Sequence, residues 1–111
     1  HTPEERTEYL KAGSRQGKRV FTIENGSKVL SLVSLCGSEI GDLYVLPEAQ
    51  GLGYGRLLLD FAVRQAPGDP TLWLLENNSA AQRFYADAGF TFTGRENRSG
   101  KRTEREMTLQ A

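Results

Sequence analysis

The chain is predicted to fold as one α/β domain with a mixed central sheet, its elements in the order α-β-β-β-α-β-α-β-β. Three observations predict it. Two β-rich runs flank Asn25-Gly26, a strong short-range hairpin signal. The glycine-alternating stretch Gln50 to Gly55 joins an apolar run to an amphipathic one, which reads as strand, turn and helix. The continuous apolar run Thr71 to Leu75 then sits between two helical patterns, as suits a strand buried on both faces beside a parallel neighbour.

Taken in order, Thr2-Pro3-Glu4-Glu5 offers a cap residue, proline at the first helical position and acids in the first turn, predicting a helix to about Ala12 that stops near Gly13. Arg19 to Glu24 and Lys28 to Leu35 are the hairpin strands, and Cys36-Gly37-Ser38 turns into a third strand from Glu39 to Leu46. In the helix after the glycine turn, Leu58, Phe61, Ala62 and Gln65 share one face, with Arg56, Asp60 and Arg64 opposite. Pro67-Gly68 closes that helix, so it crosses between parallel strands. Ser79-Ala80-Ala81-Gln82 fits a capping box, Ala81, Phe84, Tyr85 and Ala88 form a stripe, and Gly89 stops the second helix. Phe90 to Thr93 and Glu106 to Leu109 are the last strands, with Arg98 to Lys101 at the tip between them.

At 111 residues the chain suits a single core. Fourteen basic and fourteen acidic residues cancel, leaving no broad field to hold nucleic acid or an anionic membrane. Cys36 and His1 are the sole residues of their types, which excludes a disulfide within the chain, a Cys/His metal cluster and a Cys–His nucleophile pair, and makes a reducing, cytoplasmic setting the default. No apolar run approaches the ~20 residues of a bilayer span. The chain does not begin with methionine, so residues preceding His1 are expected.

The glycine turn is the centre of the functional reading. Glycines at alternate positions let backbone N–H groups face one concavity, and the following helix adds unpaired N–H groups and the positive end of its dipole, a place for a phosphate. It lacks the Gly-Lys-Ser/Thr of a P-loop, and Arg56 or Leu58 stands where a dinucleotide fingerprint needs its third glycine or alanine. What fits is Gln50-x-x-Gly53-x-Gly55 after Val45 and Pro47, followed by Asn78-x-x-Ala81-x-x-Phe84-Tyr85-x-x-x-Gly89-Phe90. With these motifs the chain resembles the GNAT family of N-acetyltransferases over about residues 2 to 109, although it lacks the further strand and helix with which that family usually begins.

The resemblance implies a GNAT-like acyl-CoA N-acyltransferase fold, with acetyl-CoA or coenzyme A as co-substrate and no metal. It implies that the backbone of Leu43, Tyr44 and Val45 holds the pantetheine arm, that Gln50, Gly51, Leu52, Gly53, Tyr54, Gly55 and Arg56 wrap the pyrophosphate, and that Asn78 and Tyr85 complete the site. The reaction implied is transfer of an acetyl (acyl) group to a primary amine of a small molecule or peptide by direct attack on the thioester. An alkyl ammonium has a pKa near ~10.4, so a carboxylate must help remove its proton and a phenol can return one to sulfur. Tyr85 is the candidate acid, against the plainer role of a core tyrosine. Glu39, fourteen positions before Gly53, is the candidate base, and Asp42 is its rival. By strand alternation Glu39 and Asp42 face opposite sides unless a bulge intervenes. A branch acting on protein N-termini carries a glutamate five positions before the asparagine, where this chain has Trp73.

No aromatic cage or acidic cluster in the sequence marks a polyamine acceptor, and the charges from Arg95 to Glu106 read as a solvated hairpin surface. Exposed strand edges would favour a homodimer. A noncatalytic acyl-CoA-binding module is the competing class.

Overall fold

A computed structural model describes residues 10–15 and 18–110. They form a seven-stranded sheet, β1 (Leu10–Arg15), β2 (Lys18–Asn25), β3 (Lys28–Cys36), β4 (Glu39–Val45), β5 (Thr71–Leu75), β6 (Thr91–Ser99) and β7 (Arg102–Thr108), ordered β1-β2-β3-β4-β5-β7-β6. Helix α1 (Tyr54–Gln65) joins β4 to β5, and α2 (Ser79–Asp87) joins β5 to β6. The expected helix from Thr2 lies largely outside the described residues, but its last part is corrected: Leu10 to Ala12 belong to β1, paired antiparallel with β2. That edge pairing supplies backbone hydrogen bonds whatever the local helical tendency, so sheet context overrides a weak propensity signal.

Every neighbouring pair is antiparallel except β4 and β5, which run parallel and are joined through α1. β5 and β6 are both antiparallel to β7, so they are parallel to each other. Both crossovers therefore step the same way across the sheet, and right-handed connections place α1 and α2 on one face. The register identifies that face. Phe21 stacks edge-on against Phe61 of α1, with ring centroids 4.9 Å apart, and the cross-strand partners Phe21 with Val33, Leu35 with Ile40, Ile40 with Leu72 and Leu72 with Met107 carry it across five strands. These strand residues are buried, together with Leu58, Leu59 and Ala62 of α1. Alternation sends Leu32, Tyr44, Trp73 and Glu106 to the other face, which carries no helix among the described residues.

The helical phase of α1 is close to expectation. Leu58 and Ala62 are buried and Phe61 half-buried, but Tyr54 and Leu59 are buried as well, so the helix buries a wider arc than its spacing predicts. Arg56 and Asp60 pair at 3.0 Å on the outer side. The terminal strands run longer than their apolar cores predict: β6 and β7 continue to a turn at Gly100, whose φ is +60°. Every residue of β6 is exposed, and cross-strand and local pairs such as Arg98 with Glu96 at 3.3 Å replace apolar alternation there.

Candidate active site

The site begins where β4 and β5 part. They pair only at Glu39 with Thr71 and at Ile40 with Leu72. Beyond that point β4 runs on to Val45 and β5 to Leu75 with no ladder between them. The peptide groups along this gap are sorted by the β3 ladder. The Leu46 N–H donates to the Leu30 carbonyl at 2.8 Å, and the Ser31 hydroxyl donates to the Tyr44 carbonyl at 2.9 Å. Tyr44 and Leu46 thus turn their peptide groups towards β3, and alternation leaves those of Leu43 and Val45 facing the gap. Such an unpaired strand edge receives an extended ligand as an added strand would.

At the end of the same strand stands the glycine turn. Gly51 and Gly53 have φ of +82° and +86°, a backbone region open to glycine and strained for other residues. Gly53 caps α1, its carbonyl accepting the Leu57 N–H at 3.0 Å. The N–H groups of Gly53, Gly55 and Arg56 therefore have no acceptor within the helix, the arrangement that suits a phosphate oxygen. Gln50 donates from Nε2 to the Val45 carbonyl at 3.2 Å and ties the turn to the strand edge. Tyr54 can offer only its backbone, because its side chain is buried in the core. Gly55 serves packing: a Cβ there would stand 3.2 Å from Val45 Cγ2 and 3.7 Å from Phe84 Cζ, so its absence lets the start of α1 approach both β4 and α2.

Replacing Gly53 by alanine is expected to cost about 1–2 kcal/mol, because the left-handed conformation burdens any residue with a Cβ even where nothing crowds it. Thermal unfolding with and without coenzyme A measures the outcome. A lower melting temperature or a coenzyme A affinity reduced about tenfold is the expected result, since tenfold equals about 1.4 kcal/mol.

From the other side of the gap come Asn78 and Tyr85. The capping box is corrected by one residue: Asn78, not Ser79, caps α2, its Oδ1 accepting the Ala81 N–H at 3.1 Å. Gln82 reaches past it to the Glu76 carbonyl at 2.7 Å. Capping uses only the oxygen of Asn78, and its Nδ2 has no protein partner among the described residues, leaving a donor for a ligand. Tyr85 packs edge-on between Phe84 and Phe90, at 5.2 and 5.8 Å between ring centroids. Burial pushes its phenol above the ordinary value of 10.0, so it stays protonated at neutral pH.

The acids are placed by a feature that sequence alternation alone does not reveal. Val33 pairs with Leu43 and Leu35 with Ile40, so three steps along β4 match two along β3. This bulge falls at Gly41-Asp42 and is held by Ser34, whose Oγ accepts the Asp42 N–H at 2.7 Å. A Cβ on Gly41 would lie 2.6 Å from that oxygen, so glycine is required for the close approach. The bulge turns Asp42 to the helix-free face, where its Oδ2 receives the Ser34 hydroxyl at 3.5 Å. Glu39 is exposed on the same face at the closed end of the parallel pair, whereas Asp42 lies beyond the parting point. The expectation that the two acids face opposite sides fails because the bulge intervenes. A glycine in the interior of a strand was the signal for it.

A strand edge opened beside its parallel neighbour, with a glycine turn at its end, belongs to the acetyltransferase fold. Residues 16–92 match the acetyltransferase (GNAT) domain, more than half of the chain, and the chain belongs to that family. It is 38% identical over 61 residues to the peptidyl-lysine N-acetyltransferase YjaB of Escherichia coli, a match covering 55% of this chain and 41% of that protein. The solution structure of apo YjaB from Escherichia coli superposes with a TM-score of 0.70 at 26% identity, over 85% of this chain and 65% of that one. A Bacillus anthracis chain described as a streptothricin acetyltransferase, solved in complex with acetyl coenzyme A, shares the fold with a TM-score of 0.74 at 19% identity, over 88% and 65% of the two chains. The chain thus spans less than half the length of the curated relatives it matches and about two thirds of these solved ones. No described helix is long and apolar enough to cross a membrane, and no described group of His, Cys, Asp and Glu could hold a metal ion.

Proposed function

We propose that the chain is the coenzyme A-binding and catalytic part of an N-acetyltransferase that moves an acetyl group from acetyl-CoA to a primary amine of a peptide or small molecule. One observation carries the reading: the ladder between β4 and β5 ends at Ile40 and Leu72, and the edge so opened leads directly into the glycine turn and the start of α1. The pantetheine arm lies along Leu43 and Val45, whose peptide groups face the gap, with Tyr44 contributing only from the outer face. The pyrophosphate sits on the turn from Gln50 to Arg56, and Asn78 Nδ2 donates from across the gap. The relationship to a peptidyl-lysine N-acetyltransferase favours a lysine side chain as the reacting amine.

The amine arrives charged and must lose a proton before it attacks the thioester carbon. Glu39 accepts that proton through water, and Asp42, on the same face and nearer the gap, is the competing base. Peptide N–H groups at the strand edge stabilise the negative charge that develops on the carbonyl oxygen. As the new amide forms and the carbon–sulfur bond breaks, Tyr85 protonates the departing thiolate. No covalent intermediate with the protein is required.

Calorimetry with acetyl-CoA, coenzyme A and ATP, followed by release of free thiol with a panel of amines, tests the reading. Binding of both coenzyme A forms but not ATP, with amine-dependent thiol release, is the expected result. Binding without release beyond slow hydrolysis would leave an acyl-CoA-binding module instead. The two bases are separated by Glu39→Gln and Asp42→Asn: the variant of the true base is expected to lose about 10²-fold in kcat/KM near neutral pH and to recover part of it at high pH.

A further inference from the structure

Among the described residues, one buried carboxylate has no part in this mechanism. Glu106 lies on the helix-free face of β7, where a charged side chain could reach water, yet it is only 5% exposed. Trp73, its cross-strand partner on β5, flanks it on one side, and an irregular piece of β6 closes the other. Phe92 pairs with Met107 and Glu96 with Arg105, so Thr93, Gly94 and Arg95 together oppose Glu106 alone. Gly94 has a φ of +93°. This bulge aims two side chains at one carboxylate: the Thr93 hydroxyl donates to Oε1 at 2.8 Å, and Arg95 Nη1 donates to Oε2 at 3.4 Å. The Arg95 guanidinium also lies over the Trp73 ring, 5.7 Å from its centroid.

A buried carboxylate is costly unless it is well paired, and Arg95 is a weak partner, 72% exposed at a long distance. An apolar residue would seal this position at lower cost, and such departures from the stability optimum belong to functional sites. The position fits that view. Trp73 is the first residue of β5 beyond its last pair with β4, so the cluster borders the gap on the face opposite α1. Glu106 stands about two strand spacings, roughly 10 Å, from the open edge of β4. Arg95 itself shows what the cluster accepts: a cation held between an aromatic face and a carboxylate.

We propose that Glu106 and Trp73 bind a second positive charge of the acceptor, one short spacer from the reacting amine, with Arg95 as the displaceable internal cation. The acceptor class is then a diamine, polyamine or cationic peptide. The inference rests on the acetyl-transfer reading above and corrects the sequence expectation that no aromatic and acidic grouping marks such a substrate: Trp73 and Glu106 are 33 positions apart, and only the β5–β7 ladder joins them.

The test compares hexylamine with 1,6-diaminohexane as acceptors for the wild type, Glu106→Gln and Arg95→Ala. The wild type is expected to favour the diamine at least tenfold in kcat/KM, well above the factor of two that two equivalent amines give statistically. Glu106→Gln is expected to reduce the preference to about twofold through the diamine KM, with coenzyme A affinity unchanged; a purely structural role would move both amines together. Arg95→Ala, at an exposed side chain, is expected to lower the diamine KM threefold or more and leave that of hexylamine unchanged, and it carries the test if Glu106→Gln fails to fold. A wild-type ratio near two, an unchanged ratio in Glu106→Gln, or a diamine KM that does not fall in Arg95→Ala overturns the inference while leaving acetyl transfer standing. Coenzyme A binding with no thiol release from either amine or from any amine of the wider panel, lysine peptides included, overturns acetyl transfer and this inference together.

Discussion

Tyr85→Phe is expected to lower kcat by about 10²-fold while coenzyme A affinity changes less than twofold, as loss of a general acid would. The phenyl ring keeps the edge-on contacts with Phe84 and Phe90, so α2 and the Asn78 cap persist and only the hydroxyl is removed. The pH profile supplies an independent readout. Burial raises the phenol above 10.0, so the proton-donating form survives to higher pH than an exposed tyrosine allows. The alkaline limb of wild-type kcat that reports this acid is expected above pH 10, and it disappears in Tyr85→Phe. Stability follows the same sign: a group with its folded pKa raised favours the folded state below its unfolded pKa, and that advantage is lost as pH rises from 10 through the folded value. Tyr85→Phe is expected to abolish this alkaline loss in thermal unfolding. A variant that keeps full turnover and full coenzyme A affinity would remove Tyr85 from the chemistry and leave it a core aromatic.

Leu58→Ala is the substitution expected to cost most in stability, about 2–5 kcal/mol, from lost burial and the cavity left behind. Leu58 is fully buried between α1 and the sheet, one turn after the helix start. Its loss loosens α1 against β3 and β4, and the proposed phosphate site loses its support with it. Chemical denaturation is expected to show a lower midpoint at unchanged slope. Saturating coenzyme A at 100 times its Kd is expected to restore about 2.7 kcal/mol, because the ligand binds only the folded chain. Failure of coenzyme A to raise the midpoint would show that the helix start does not hold it.

Much of this architecture is legible along the chain because the decisive signals are local. Asn25-Gly26 specifies its hairpin, the spacing of Leu58 and Ala62 sets the phase of α1, and Thr71 to Leu75 announces a buried strand, each through contacts within a few residues. The side of the site proposed for coenzyme A is local for the same reason: turn, strand exit and helix start are contiguous from Val45 to Arg56, and Asn78 to Phe90 form one short cap and helix. Where local signals are weak, the reading fails. Leu10 to Ala12 have helical companions in sequence but a strand partner in space. β6 and β7 extend through charged residues whose pairing lies across the hairpin.

The acceptor side is a different matter. By itself the sequence determined the α/β class, the order of the central elements and the glycine turn, and it nominated the residues proposed to hold coenzyme A. Only the tertiary structure decided that β4 and β5 part after Ile40 and Leu72, that a bulge held by Ser34 brings Asp42 to the face of Glu39, and that Glu106 is enclosed by Trp73, Thr93 and Arg95. The reason is physical. A turn or cap is specified by backbone conformations of neighbouring residues, whereas an opened strand pair, a bulge and a buried carboxylate depend on register between segments distant in sequence, which is set when the sheet assembles.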